Sequence, residues 1–226
     1  MIKNIEVELK FQILDDLQIR NFTKQLSFIE KRHIVDVYLD TESAQLYKKG
    51  VFIRIRNNKK LDFKFNPEDW ENPNKFSDHT HCDEYSFPFP LRPSAKNKIN
   101  KILNILQLNC ISRSHIDELK KANRLVDSVT IDKKREIYQD EIFLYSYDKV
   151  KELGTFLEIE HHAKEADNLD EIKKQMRERL KDLNLKLITT GYNELYWKKN
   201  NFDIYLSGRF LLDEDYKKYR PSALNH

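Results

Sequence analysis

In several short segments of the chain every second residue is charged, and acids and bases both take part. IEVELKF, Ile5 to Phe11, puts Glu6, Glu8 and Lys10 on one side and Ile5, Val7, Leu9 and Phe11 on the other. VFIRIRN opposes Arg54 and Arg56 to Val51, Ile53 and Ile55, and LDFKF opposes Asp62 and Lys64 to Leu61, Phe63 and Phe65. CDEYSF carries Glu84 and Ser86, TIDKKREIY carries Lys133 and Arg135, and IFLYSYD ends at Asp148. TFLEIEHH sets Glu158 and Glu160 against Leu157 and Ile159. Where such groups converge, Arg and Lys neutralise phosphate oxygens, Arg with bidentate hydrogen bonds. Carboxylates in the same place are oxygen ligands for a hard divalent cation.

Each segment also has a plain reading. A single strand with one charged face is usually a solvated strand, and Arg54 and Arg56 could simply pair with acids. Four glycines, Gly50, Gly154, Gly191 and Gly208, are all isolated, which excludes a Walker loop and a G-x-G-x-x-G turn. If phosphate is bound, side chains must bind it. His79, His81 and Cys82 in HTHC suggest zinc but lack a convincing fourth ligand. His161 and His162 follow the acidic strand and are expected at a rim or in solvent, while Tyr38 and Tyr145 read as packing.

With 226 residues, 39% hydrophobic and 12% aromatic, the chain can bury a core. Charged residues reach 34% but the net charge is only +3, which argues against a dedicated nucleic-acid binder. Lys3, Glu6 and Glu8 stand where an export signal would need an apolar run, and no stretch reads as a membrane span. Cys82 and Cys110 are too few for a disulfide framework. These features together predict a soluble cytoplasmic protein.

The elements that must position the charges follow from periodicity. Residues 15 to 31 are expected to be helical, with Phe22, Leu26 and Ile29 in register. DVYLDT reads as a strand, Thr41 to Gly50 as a short helix capped by Thr41, and NNKK as a hairpin turn. Residues 67 to 80 read as a loop. Helices are expected around Ile99 to Leu106, up to Arg124, over about 168 to 184, and in GYNELYWKKN as the last one. Residues 200 to 226 are too apolar for a disordered end and are expected to pack on the preceding domain, residues 1 to 199, or on a second subunit of a homodimer. About seven strands with one apolar and one charged face admit two architectures. One is a closed antiparallel barrel with a polar interior; the other is an open sheet with one face in solvent.

The order of the motifs favours the first. Glu6, Glu8 and Lys10, then Arg54, Arg56 and Lys64, then Lys133 and Arg135, Asp148 six residues before Gly154, and FLEIE resemble the CYTH superfamily, the triphosphate tunnel metalloenzymes. That superfamily includes class IV adenylyl cyclases, thiamine triphosphatases and inorganic triphosphatases, and the resemblance covers about residues 4 to 197. It implies an α+β fold, a closed eight-stranded antiparallel β-barrel with helices packed outside. Glu6, Glu8, Lys10, Glu158 and Glu160 are then catalytic, and Lys10, Arg54, Arg56, Lys64, Lys133 and Arg135 bind substrate. Glu6, Glu8, Glu158, Glu160, Asp148 and Glu84 are the implied ligands of Mg²⁺ or Mn²⁺. Where the family has R-x-E-x-E around Glu84, this chain has Cys82 and Ser86 at the outer positions. The implied partner is a small-molecule triphosphate: inorganic triphosphate, a nucleoside triphosphate or thiamine triphosphate. Hydrolysis is the expected reaction because water needs no further recognition element. A cyclase releasing cyclic AMP and pyrophosphate from ATP, or a non-catalytic nucleotide or polyphosphate binding module, would use the same cations. Without substrate, crowded acids are expected to have raised pKa values.

Overall fold

The computed structural model of the chain describes residues 5–67, 82–163 and 167–220, and of Ile5 and Glu6 the backbone alone. The HTHC histidines and most of the expected 67 to 80 loop lie outside these residues. The fold is α+β and divides into two compact units, one from Met1–Ile34 and Asp132–Thr189, the other from Val35–Ile131 and Thr190–His226.

In the first unit, β1 (Ile5–Ile13) pairs antiparallel with β8 (Gly154–Ala163), which pairs with β7 (Leu144–Val150), itself paired with β6 (Val126–Gln139). The alternation does what the sequence expects. Val7, Leu9, Phe11, Tyr145, Leu157 and Ile159 form one buried cluster, sealed by Ile19 of α1 (Asp16–Thr23) and by Met176 and Leu180 of α5 (Leu169–Leu180). Asp15 and Asn168 cap these two helices, each accepting from two backbone N–H groups.

The second unit holds β3 (Phe52–Arg56), β4 (Lys60–Phe65) and β5 (Asp83–Pro88), with β3 paired to the end of β2 (Ser27–Asp40). Asn57 and Asn58, both at φ 52°, make the expected turn, since asparagine tolerates the left-handed region. Ile53, Ile55, Leu61 and Phe63 pack under α3 (Lys96–Ile105) and α4 (Ile116–Asn123) through Ile99, Leu103 and Leu119. Thr41 and Asp40 together cap the short α2 (Gln45–Lys48): Thr41 Oγ1 accepts from Gln45 N at 3.0 Å, and the Asp40 carboxylate accepts from Leu46 N and Tyr47 N, each at 2.8 Å. Beyond α6 (Tyr192–Asn200), expected to be the last helix, come α7 (Phe202–Ser207) and α8 (Asp213–Tyr219), with Tyr205, Phe210, Leu211 and Leu212 buried.

Two further expectations are corrected. The closed eight-stranded barrel is not found: the hydrogen-bonded order is β5-β4-β3-β2-β6-β7-β8-β1-β9, nine strands in an open antiparallel sheet. The physical reason lies at β1, whose second edge is taken from Lys10 to Ile13 by β9 (Leu185–Ile188), a strand absent from the expected elements. The helix over 15 to 31 stops at Thr23, because Gln25 N and Leu26 N bond three residues back and turn the chain into β2 at Ser27. Phe22 and Leu26 still reach the core, so their helical spacing coincides with a turn.

Candidate active site

On the polar face of the first unit, antiparallel register places Lys10 opposite Glu158, Glu8 opposite Glu160, and Arg135 opposite Asp148. Paired residues on neighbouring strands share a face, so one sheet surface collects all six. Lys133 joins them two residues before Arg135. Asp148, fully buried, accepts from Arg135 Nε and Nη2 at 2.6 Å each and from Lys133 Nζ at 2.8 Å. Glu158 accepts from Arg135 Nη2 and lies 3.2 Å from Lys10 Nζ. Lys10 is also 3.5 Å from Glu8. Glu6 is opposite His162 along the backbone.

At Glu158 this charge arrangement reverses the expected direction of titration. Burial opposes ionisation of Glu158, but Lys10, Lys133 and Arg135 outweigh it and hold the carboxyl well below the usual carboxylate range. Burial likewise works against the Lys10 ammonium, yet Glu158 and Glu8 raise its pKa. For Lys133 burial prevails and the ammonium is lowered. The acids are not crowded against one another alone, because cations are interleaved between them.

The second unit carries its own charged face. Asp36, Arg56 and Lys60 form one row across β2, β3 and β4; Tyr38, Arg54, Asp62 and Ser86 form the next, reaching β5; Phe52, Lys64 and Glu84 form a third. Arg56 donates from Nε and Nη2 to Asp36 at 2.6 and 2.8 Å. Arg54 donates to Asp62 and to Glu84, each at 3.0 Å, and Ser86 donates to Asp62 at 2.5 Å. Burial works against the Arg54 charge, but Tyr38, Asp36, Glu84 and Asp62 raise its pKa.

The fold thus gathers Glu8, Lys10, Lys133, Arg135, Asp148, Glu158 and Glu160 on one unit, and Arg54, Arg56, Lys64 and Glu84 on the other. Asp36 and Asp62 were not singled out as site residues, although each alternates in its strand: Asp36 with Tyr38 and Asp40, Asp62 with Lys60 and Lys64. His161 Nδ1 donates to the Ile142 carbonyl at 3.0 Å, and His162 is exposed.

A divalent cation needs several oxygen donors. Among the described residues no three His, Cys, Asp or Glu side chains converge on one point. Asp148 and Glu158 are engaged with cations, and Glu84 with Arg54. Glu8 and Glu160 fit the chemistry best: adjacent hard donors whose side chains are 34% and 19% exposed, so water can complete a shell.

The CYTH domain model matches residues 4–192. The chain belongs to the CYTH domain family. A Methanocaldococcus jannaschii protein provisionally named an adenylate cyclase is 26% identical over 196 residues, 84% of this chain and 98% of its own. A solved Pyrococcus horikoshii protein matches with a TM-score of 0.58 at 21% identity, over 86% of this chain and 99% of that one. A Hippeastrum protein, provisionally named an adenylyl cyclase and described as having a dominant triphosphatase activity, matches with a TM-score of 0.53 at 19% identity, over 92% and 98% of the two chains. At these identities the two solved structures bear on fold. Among the described residues no helix is long and apolar enough to cross a membrane.

Proposed function

We propose that this CYTH protein hydrolyses a triphosphate, inorganic or organic, by attack of water on the terminal phosphorus. The observation that carries the reading is the first unit's polar face: Lys10, Lys133 and Arg135 held by Glu158 and Asp148, beside the more accessible pair Glu8 and Glu160. Cations already fixed in hydrogen-bonded pairs need little reorganisation to meet phosphate oxygens, which is where electrostatic catalysis gains most. The second unit carries phosphate-binding candidates of its own, Arg54, Arg56 and Lys64. Glu8 and Glu160, with Glu6 next along β1, would hold Mg²⁺ or Mn²⁺. Such an ion supplies charge neutralisation at the phosphoryl oxygens. Lys10, with its raised pKa, stays protonated at neutral pH and contributes a full charge. As water forms the new P–O bond, the bridging P–O bond breaks and the shortened phosphate chain leaves, its added negative charge met by these cations.

The second reading is cyclisation of ATP, favoured by the name of the Methanocaldococcus relative. It requires a grip on adenine and ribose that places the 3′-oxygen near the α-phosphorus. Product analysis separates the two. Incubation with Mg²⁺ or Mn²⁺ is expected to release orthophosphate from both inorganic triphosphate and ATP, with no cyclic AMP. Stoichiometric cyclic AMP and pyrophosphate from ATP, with inorganic triphosphate acting only as an inhibitor, would decide for the cyclase.

A further inference from the structure

Two contacts within the first unit fix which way the residues of β2 and β6 face. Lys31 Nζ donates to Glu136 at 2.6 Å and His33 Nε2 donates to Asp132 at 2.7 Å, across neighbouring strands. Glu136 stands opposite Tyr147, a member of the buried apolar cluster, so both contacts are made on that cluster's side of the sheet. Side chains alternate along a strand, which turns Glu30 and Arg32 to the other face, the one that carries Lys133, Arg135, Asp148 and Glu158. Electrostatics agree with this placement: Glu30 raises the Arg32 pKa, while burial and the Arg135 charge work against it.

The two arginines are held in different ways. Arg135 is bonded to Asp148, which is fully buried, and to Glu158. Arg32 is bonded to Glu30, two residues before it on the same strand, and the two side chains are 55% and 40% exposed. An exposed ion pair is screened by water and contributes little, so a phosphate oxygen can take the place of the Glu30 carboxylate at small cost. Displacing Asp148 would instead leave a buried charge without its partner. A phosphate held by Arg135 also draws Arg32 inward, because an anion between two guanidinium groups replaces a repulsion with two charge-assisted hydrogen bonds.

We propose that Arg32 is a further substrate-binding residue of this site and that Glu30 competes with the substrate for it. The proposal rests on the triphosphatase reading. A phosphate group on Arg135 takes Arg32 from Glu30, and what binding gains at the arginine is reduced by the ion pair that it breaks. The two members of one ion pair therefore act on the site with opposite sign.

The test measures binding of inorganic triphosphate by calorimetric titration and its turnover by orthophosphate release. Arg32→Ala is expected to weaken binding and raise KM by about fivefold, the scale of one exposed charge-assisted bond, with the melting temperature unchanged. Glu30→Gln is expected to do the reverse, tightening binding by roughly twofold as a weak exposed pair is removed. The double variant should behave as Arg32→Ala alone, because Glu30 acts only through Arg32. Unchanged triphosphate affinity in Arg32→Ala would overturn the proposal. So would a Glu30→Gln gain that persists in the Arg32→Ala background, since Glu30 would then act through net charge and not by holding the arginine. Failure of the triphosphatase reading looks different: the wild type would release no orthophosphate, while titration would still rank the variants.

Discussion

Asp148 stands directly across the β6–β7 ladder from Arg135 and binds both Nε and Nη2 at 2.6 Å. Asp36 and Arg56 repeat the arrangement on the other unit, again as direct cross-strand partners and again through the Nε and Nη2 edge. In both pairs the carboxylate takes one side of the guanidinium and leaves the Nη1 donors directed elsewhere. A buried acid thus fixes the orientation of a cation that the proposed function assigns to phosphate. It also creates a dependence, since removing either partner strands the other in low dielectric.

Asp148→Ala should therefore lower stability by about 3–5 kcal/mol, the usual cost of leaving buried charge uncompensated. Arg135→Ala should lose stability as well as triphosphate affinity, the latter by at least about 1.5 kcal/mol for a charge-assisted bond. Urea denaturation and calorimetric titration with inorganic triphosphate measure the two separately. Arg135→Ala with unchanged stability would contradict the fixing role of Asp148.

Lys64 offers the contrasting case. It forms no ion pair among the described residues and stands in the row of Phe52 and Glu84. Lys64→Ala should change stability by no more than about 0.5 kcal/mol, as substitutions away from buried networks do, and should raise KM for triphosphate. If stability falls by several kcal/mol while KM holds, Lys64 is a structural residue.

The charge alternation and its apolar counterface were legible because a strand's two-residue period is written directly in residue order. So were the Asn57–Asn58 turn and the helices over Ile99 and Leu119. Closure was not legible: whether β1 keeps its second edge free depends on Leu185–Ile188, four residues whose pattern does not distinguish a strand from the end of a helix. Phe22, Leu26 and Ile29 misled because a helix followed by a turn can preserve helical spacing for two of three residues. At the site, the types of the residues were readable but their pairing was not. Asp36 and Asp62 gain their roles only from the register that sets them opposite Arg56 and Arg54. The family resemblance implies Glu158 as a metal ligand, and only its contact with Lys10 and Arg135 shows how strongly it is engaged by cations.

That engagement gives Glu158 a pH signature. Its folded-state pKa is depressed below the ordinary 4.5, so its contribution to stability is fully present above that value. It fades as pH falls below 4.5 and is gone once pH passes below the folded pKa. The wild-type melting temperature should therefore drop steeply on acidification below about pH 4.5, and Glu158→Gln should be less stable at neutral pH with a flatter acid limb. Parallel limbs for the two proteins would show that Glu158 is not held ionised by its neighbours.

The acids that a divalent cation would use can be separated from those that hold cationic side chains. Glu8 and Glu160 are direct cross-strand neighbours, a like-charge arrangement that costs a few tenths of a kcal/mol to about 1 kcal/mol without a counter-ion. Replacing either by Gln relieves that repulsion but also removes a contact with a basic side chain, Glu8 with Lys10 at 3.5 Å or Glu160 with His162 at 3.8 Å, so the melting temperature in chelator should change little. Mg²⁺ or Mn²⁺ should stabilise the wild type by mass action, and this increment should shrink in Glu8→Gln and Glu160→Gln together with triphosphate turnover. Glu158→Gln should behave differently, losing stability in chelator while keeping much of the metal-induced increment, since its carboxylate serves Lys10 and Arg135. Thermal melts of the three variants with and without metal decide the assignment. If Glu158→Gln alone abolishes the increment, the ion belongs at the buried carboxylate and must displace a lysine or arginine to bind there.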